Sequence, residues 1–222
     1  MKVDYWQQRW QLDEIGFNQS EPNELLQRYF SVLDLKPGDR IFVPLCGKSV
    51  DMIWLASQGY QVVGVEVRSI ACEDFFNDNN MMADVTTTGN FTVFESEKIM
   101  LLAGDFFKLT KESLGKLNAV YDRAALIALP AEMRQRYVDH LTKLLDRDIK
   151  MLLITTSYVE NAMKGPPFSV DEKEVESLYG AHFSIKQLYN KFIKVVPGHL
   201  KAKGLAEADE HVYYLSCTEG DG

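Results

Sequence analysis

Apolar positions change their period along this chain, and the changes divide it into elements. Leu25, Leu26, Tyr29, Phe30 and Leu33 recur at helical spacing, which predicts an amphipathic helix over 24–35. After the turn-forming cluster Lys36-Pro37-Gly38-Asp39, short apolar runs alternate with helical patterns. The runs at 41–44, 61–66, 119–121 and 149–155 predict buried strands; 49–58, closed by Gly59, 70–79 and 132–145 predict helices. Strands predicted at 91–95 and 99–103 flank Ser96-Glu97-Lys98 as a hairpin-like insertion. Strand alternating with helix implies a doubly wound α/β domain with a parallel sheet. Towards the end, 169–178 predicts a helix started by Ser169 with acids in its first turns, a placement that suits the helix dipole. The stretches 183–196 and 210–218 predict two long strands, paired antiparallel at the sheet edge.

Composition narrows the partners. The 222 residues show no repeat or linker and are expected to form one domain, 1–222. A net charge of −8 opposes attraction to nucleic-acid phosphates, so a small molecule is the expected partner. No apolar run approaches the roughly 20 residues that span a bilayer, and Met1 to Trp6 holds no apolar signal core. The expectation is a cytoplasmic monomer without membrane contact. Cys46, Cys72 and Cys217 are scattered, and His140, His182, His199 and His211 lack ligand spacing, so no metal site is expected.

The candidate chemistry gathers at strand ends. Phe42-Val43-Pro44-Leu45-Cys46-Gly47-Lys48-Ser49 reads as a strand, a tight turn and a helix start, and Glu66 closes the next strand. In doubly wound proteins that order holds an adenosine, with the acid accepting from the ribose hydroxyls. Gly47-Lys48-Ser49 echoes a P-loop, but the first glycine of that motif would fall at Phe42. The dinucleotide fingerprint fails as well, since two of its glycines would fall at Phe42 and Pro44. An adenosine cofactor without phosphates survives both tests, and S-adenosylmethionine is the common one. Asp105, in Gly104-Asp105-Phe106-Phe107, either accepts from an adenine amino group or caps the following turn. Tyr121-Asp122-Arg123 ends a strand at the ligand edge. It reads as a structural ion pair or as an arginine directed at a cofactor carboxylate or anionic substrate. Trp6 and Trp10, spaced i, i+4, share one face of a helix that packs on the body, closes over a ligand, or does both.

At these residues the chain resembles the bacterial members of the thiopurine S-methyltransferase family. The resemblance runs from Trp6, Trp10 and Gly16-Phe17 through Phe42 to Ser49, Val63-Gly64-Val65-Glu66, Gly104-Asp105-Phe106-Phe107 and Tyr121 to Pro130, as far as Gly165-Pro166-Pro167-Phe168. It implies a class I S-adenosylmethionine-dependent methyltransferase (Rossmann-like) fold, with a seven-stranded, mostly parallel sheet, an antiparallel edge strand and helices on both faces. It also implies S-adenosyl-L-homocysteine as product and a cofactor-covering segment over 1–35. Trp10 would pack over the cofactor, Leu45 meet it at the first turn, Glu66 hold the ribose, and the backbone around Asp105 and Phe106 frame the adenine. Arg123 would lie near cofactor and substrate. The mechanism expected from the chemistry of methyl transfer, rather than from the resemblance, has Arg123 steady the nucleophile with Asp122 orienting it. Asn18 stands where the family usually has histidine, and His199, Lys201 and Lys203 stand where it often has arginine, so substrate contacts there stay open. The acceptor implied is a thiopurine or other aromatic thiol. The alternatives are a selenium or tellurium compound, or a non-catalytic adenosine-binding module.

Overall fold

The computed structural model describes residues 19–159 and 162–217, without the side chain of His199. Trp6, Trp10, Phe17 and Asn18 lie outside the described residues, and so does the covering role expected of Trp10. The chain divides between Tyr121 and Asp122 into two compact units.

In the first unit Asn23 starts helix α1 (Glu24–Tyr29), its side chain accepting from the amides of Leu25 and Leu26. Such a cap stabilises a helix by about 1 kcal/mol. One tighter turn, Phe30–Leu33, follows and buries Leu33 completely. Strand β1 (Arg40–Val43), helix α2 (Asp51–Ser57), strand β2 (Gln61–Glu66) and helix α3 (Ser69–Asp78) come next, close to where the apolar periods place them. The remaining strands of this unit are β3 (Asp84–Thr88), β4 (Phe91–Glu95), β5 (Ile99–Ala103) and β6 (Ala119–Arg123), which runs across the division; a short helix α4 (Lys111–Leu114) precedes β6. Their order is β3-β4-β5-β2-β1-β6. Strands β5, β2, β1 and β6 pair in parallel, with Val62 opposite Ile99 and Ile41 opposite both Val62 and Ala119. Gly64 is needed inside β2: a Cβ there would stand 2.7 Å from the Cys46 Sγ and 2.8 Å from Leu101 Cδ2.

The second unit holds helix α5 (Ala131–Leu144), strand β7 (Lys150–Ser157), helix α6 (Glu172–Tyr179), strand β8 (Phe183–Ile193), helix α7 (Gly198–Lys201) and strand β9 (Ala208–Cys217). Strand β9 lies between β7 and β8, antiparallel to both, so Tyr214 faces Leu152 on one side and Lys186 on the other. Arg134 of α5, only 3% exposed, ties three segments together. Its Nε donates to the Leu129 carbonyl (2.9 Å), and its Nη1 to the Ser169 carbonyl (3.1 Å) and to the Glu174 carboxylate of α6 (2.6 Å). Met163, Val196, Leu200, Leu205 and Ala208 form a small core of their own, against which Tyr158 packs.

Two expectations are corrected. The described residues contain nine strands, not seven. Strand β5 is both the second arm of the expected hairpin and a member of the parallel set, and β4 folds back on it with Val93 opposite Leu102. Strand β3 then folds back on β4 through Gly89-Asn90, where Gly89 takes φ 58. The second correction concerns α6, whose N-cap is Asp171, accepting from the Glu174 amide at 2.9 Å. Ser169 instead bonds Tyr158 twice, accepting from its amide and donating to its carbonyl, both at 2.9 Å.

Candidate functional site

Glu66 is the best-defined member of the site in the first unit. It ends β2 only 6% exposed. Its Oε2 accepts from the Gly47 amide (3.1 Å) in the turn after β1, and its Oε1 from the Arg68 amide (3.0 Å). Its own carbonyl accepts from the Gly104 amide (2.8 Å) after β5. One acid thus joins the loops that leave three adjacent parallel strands. Burial pushes its carboxyl up to about 7, and the amides of Arg68 and Gly47 offset only part of that cost. A carboxylate has room for about four hydrogen bonds. With the amides of Arg68, Gly47 and Val67 on it, capacity remains for a further donor such as a ribose hydroxyl.

The turn that faces Glu66 is strained. Leu45 takes φ 45 and Gly47 φ 54, while the Cys46 amide donates to the Val65 carbonyl at 2.9 Å. A left-handed backbone costs a residue with a Cβ roughly 1–2 kcal/mol. The other non-glycine residues with positive φ among the described ones are Asp34 and Asn80, types that tolerate it, and Ala124. Strain therefore falls at Leu45 and directly after Arg123, two positions singled out from sequence; strained backbone concentrates at functional sites. Neither outlier is legible in the sequence, because neither residue is a turn former.

Asp105 is exposed, and its Oδ1 accepts from the Phe107 amide at 3.0 Å, so it caps the turn that follows. It starts a single turn, Phe106–Lys108, that buries Phe106. Tyr121, at the end of this unit, donates from its hydroxyl to the fully buried Asp51 (2.9 Å), which also accepts from the Asn23 amide (2.8 Å).

In the second unit Asp122 is fully buried. Its Oδ2 accepts from the Tyr137 hydroxyl (2.7 Å) and its Oδ1 from the Leu126 amide (3.2 Å). Desolvation raises its carboxyl to about 6, with Tyr137 and the amides of Leu126 and Ala125 pulling the other way. The acid thus fastens the turn that follows Arg123, and Arg123 itself is half-buried at the end of β6. Gly165-Pro166-Pro167-Phe168 is held from several sides: the Phe168 amide donates to the Ile127 carbonyl (2.6 Å), the Tyr158 hydroxyl to the Pro167 carbonyl (2.8 Å), and Lys203 Nζ to the Pro166 carbonyl (2.9 Å). Both bonds leading into the prolines are cis. Lys201 is exposed.

Two polar side chains that sequence reading did not join also meet here. Ser157, at the end of β7, and His211 of β9 bring Oγ and Nε2 to 2.8 Å across 54 positions of sequence. The available signal was the alternation of His211 and Tyr213 along one face of β9. No group of three or more His, Cys, Asp or Glu able to hold a metal occurs among the described residues, and none of their helices is long and apolar enough to cross a membrane.

Comparison with known proteins identifies the family and the fold. The family profile for thiopurine S-methyltransferase matches residues 1–218. The thiopurine S-methyltransferase of Pseudomonas syringae pv. pisi is 43% identical, over 97% of this chain and 99% of its own. That of Nitrosospira multiformis is 44% identical, over 97% and 98%. Among solved structures, an S-adenosylmethionine-dependent methyltransferase from Anabaena variabilis superposes with TM-score 0.66 at 17% identity, covering 98% of this chain and 96% of that one. The magnesium protoporphyrin IX methyltransferase of Synechocystis, solved with bound SAH, gives TM-score 0.58 at 16% identity, covering 95% and 94%. The fold is that of the class I methyltransferases.

Proposed function

The chain belongs to the thiopurine S-methyltransferase family, and on that premise we propose that it moves the methyl group of S-adenosylmethionine to the sulfur of a thiopurine or another aromatic or heterocyclic thiol. The observation that carries this reading is Glu66, a buried acid at the end of the second parallel strand with acceptor capacity to spare. Whole-length similarity to two named thiopurine S-methyltransferases supports the acceptor class. The same full-length match supports reading 1–222 as one working domain.

When bound, the cofactor supplies a methyl group on a positively charged sulfur. Glu66 would accept from the ribose hydroxyls, Leu45 would meet the cofactor at the strained first turn, and the backbone around Asp105 and Phe106 would border the adenine. Trp10, by the resemblance, would cover the cofactor and, with Phe17, would exclude water. Arg123 would donate to the acceptor sulfur as it ionises. Asp122 holds the backbone behind Arg123 through Leu126 and Tyr137. Methyl transfer demands in-line placement more than it demands a strong acid or base, and alignment of bound reactants is worth roughly 7–11 kcal/mol.

Replacing Arg123 with alanine tests the division of labour. Arg123→Ala is expected to lower kcat on a thiopurine about 100-fold, the scale of a lost donor to developing charge, while the cofactor Kd measured by calorimetry changes far less. Equal losses in both would make Arg123 a cofactor anchor. Wild-type protein that yields no S-methyl product would remove the reading itself.

A further inference from the structure

We propose that Ser157 and His211 form a proton outlet for the acceptor thiol, Ser157 touching the acceptor and His211 receiving the proton behind it. The inference rests on the S-methyltransferase reading and concerns the one proton that the reaction releases. A neutral thiol attacks the methyl carbon as its S–H bond yields a proton. The new carbon–sulfur bond forms, and the old one breaks with its electron pair going to the cofactor sulfur. The thiol proton passes to Ser157 Oγ as the serine's own proton passes to His211 Nε2, leaving an imidazolium.

The geometry suits this transfer. Strand β7 follows β6 through helix α5, so Ser157 and Arg123 end neighbouring strands at the edge where open α/β sheets bind ligands. The residue after Ser157 is Tyr158, whose hydroxyl holds Pro167. Ser157 is half-buried, whereas His211 is 5% exposed, so the serine can meet an acceptor and the imidazole stays shielded behind it. Ser157 Oγ lies 2.8 Å from Nε2, and the Gln187 amide nitrogen is placed 3.4 Å from Nδ1 and 3.3 Å from the Tyr213 hydroxyl. An amide is oriented by its hydrogen bonds. With that amide turned over, so that its oxygen takes the place of the nitrogen, it accepts from Nδ1–H and from the Tyr213 hydroxyl, and Nε2 is left as the acceptor for the serine proton.

Burial lowers the imidazole below its ordinary range, which keeps it neutral and able to accept at pH 7; Asp209, Glu172 and Asp171 work in the opposite direction. Those three acids, on β9 and at the start of α6, would also stabilise the imidazolium once formed. Tyr213 stacks on the ring at 5.9 Å, and burial keeps its phenol protonated, up at about 12.

Two acceptors of similar size separate this role from a structural one: 4-nitrothiophenol, already ionised at pH 7, and benzyl thiol, which is not. For His211→Gln, and independently for Ser157→Ala, the benzyl to nitrothiophenol ratio of kcat/KM is expected to fall about 100-fold, the lower end of general-base contributions. The 15N imidazole shifts of the wild-type protein at pH 7 should show Nδ1 protonated and Nε2 bare. Equal loss on both thiols, or an Nε2–H tautomer, would overturn the proposal while leaving S-methylation intact. Failure of the wild type to methylate either thiol would overturn both readings.

Discussion

Glu66 sets burial against binding. Its carboxyl stands near 7 in the folded chain, above the ordinary value of about 4.3. The folded state therefore holds more protons than the unfolded one across that window, and the contribution of Glu66 to stability falls as pH rises through it. Ribose hydroxyls donate to the ionised form, so cofactor binding draws the value back down and releases a proton near neutrality. Calorimetry should show cofactor affinity rising about tenfold between pH 6 and pH 8, the change in the ionised fraction of such a group. Binding heats at pH 6.5 should also vary with the ionisation enthalpy of the buffer. A flat affinity across this range would take Glu66 out of the ribose site. Its neighbours Cys46 and Cys72 are buried thiols held protonated chiefly by desolvation, which suits a packing role, for Cys46 against Gly64, rather than reactivity.

Among the elements, those with a buried face were legible and those without were not. Strand β2 coincides with its apolar run because five of its six residues are buried. Strand β3 is exposed along its whole length, so Asp84-Val85-Thr86-Thr87-Thr88 carries no alternation to read. The Gly89-Asn90 pair was its one available mark, a recognised two-residue hairpin signal. The start of α6 was misplaced by two residues because serine and aspartate cap equally well, and only the contact between Ser169 and Tyr158 separates them. The role of Arg134 was hidden for a similar reason: in an amphipathic helix a charged residue reads as the wet face, yet this one is buried on carbonyl groups from two loops. Arg134→Met keeps the bulk and removes the donors. Urea unfolding should show a loss of about 2–4 kcal/mol, the range for breaking a buried charged network. An unchanged midpoint would mean that the three segments are held by packing alone.

At the scale of the whole molecule, the fold class and cofactor type were legible because they rest on order: strand, turn, helix, strand, acid. The partnerships within the site were not. Asp122 with Tyr137, Asp51 with Tyr121 and Ser157 with His211 each join residues at least 15 positions apart, and no periodicity encodes them. The strain at Leu45 and Ala124 was equally silent, since it belongs to the closed loops and not to the residues. What the chain methylates is decided by the product. With methyl-labelled S-adenosylmethionine offered against thiopurines, thiophenols, selenite and tellurite, mass spectrometry and NMR locate the label. The account predicts label on the sulfur of a thiopurine or thiophenol. Label appearing only in selenium or tellurium products, or retained on a cofactor that binds without turnover, would contradict it.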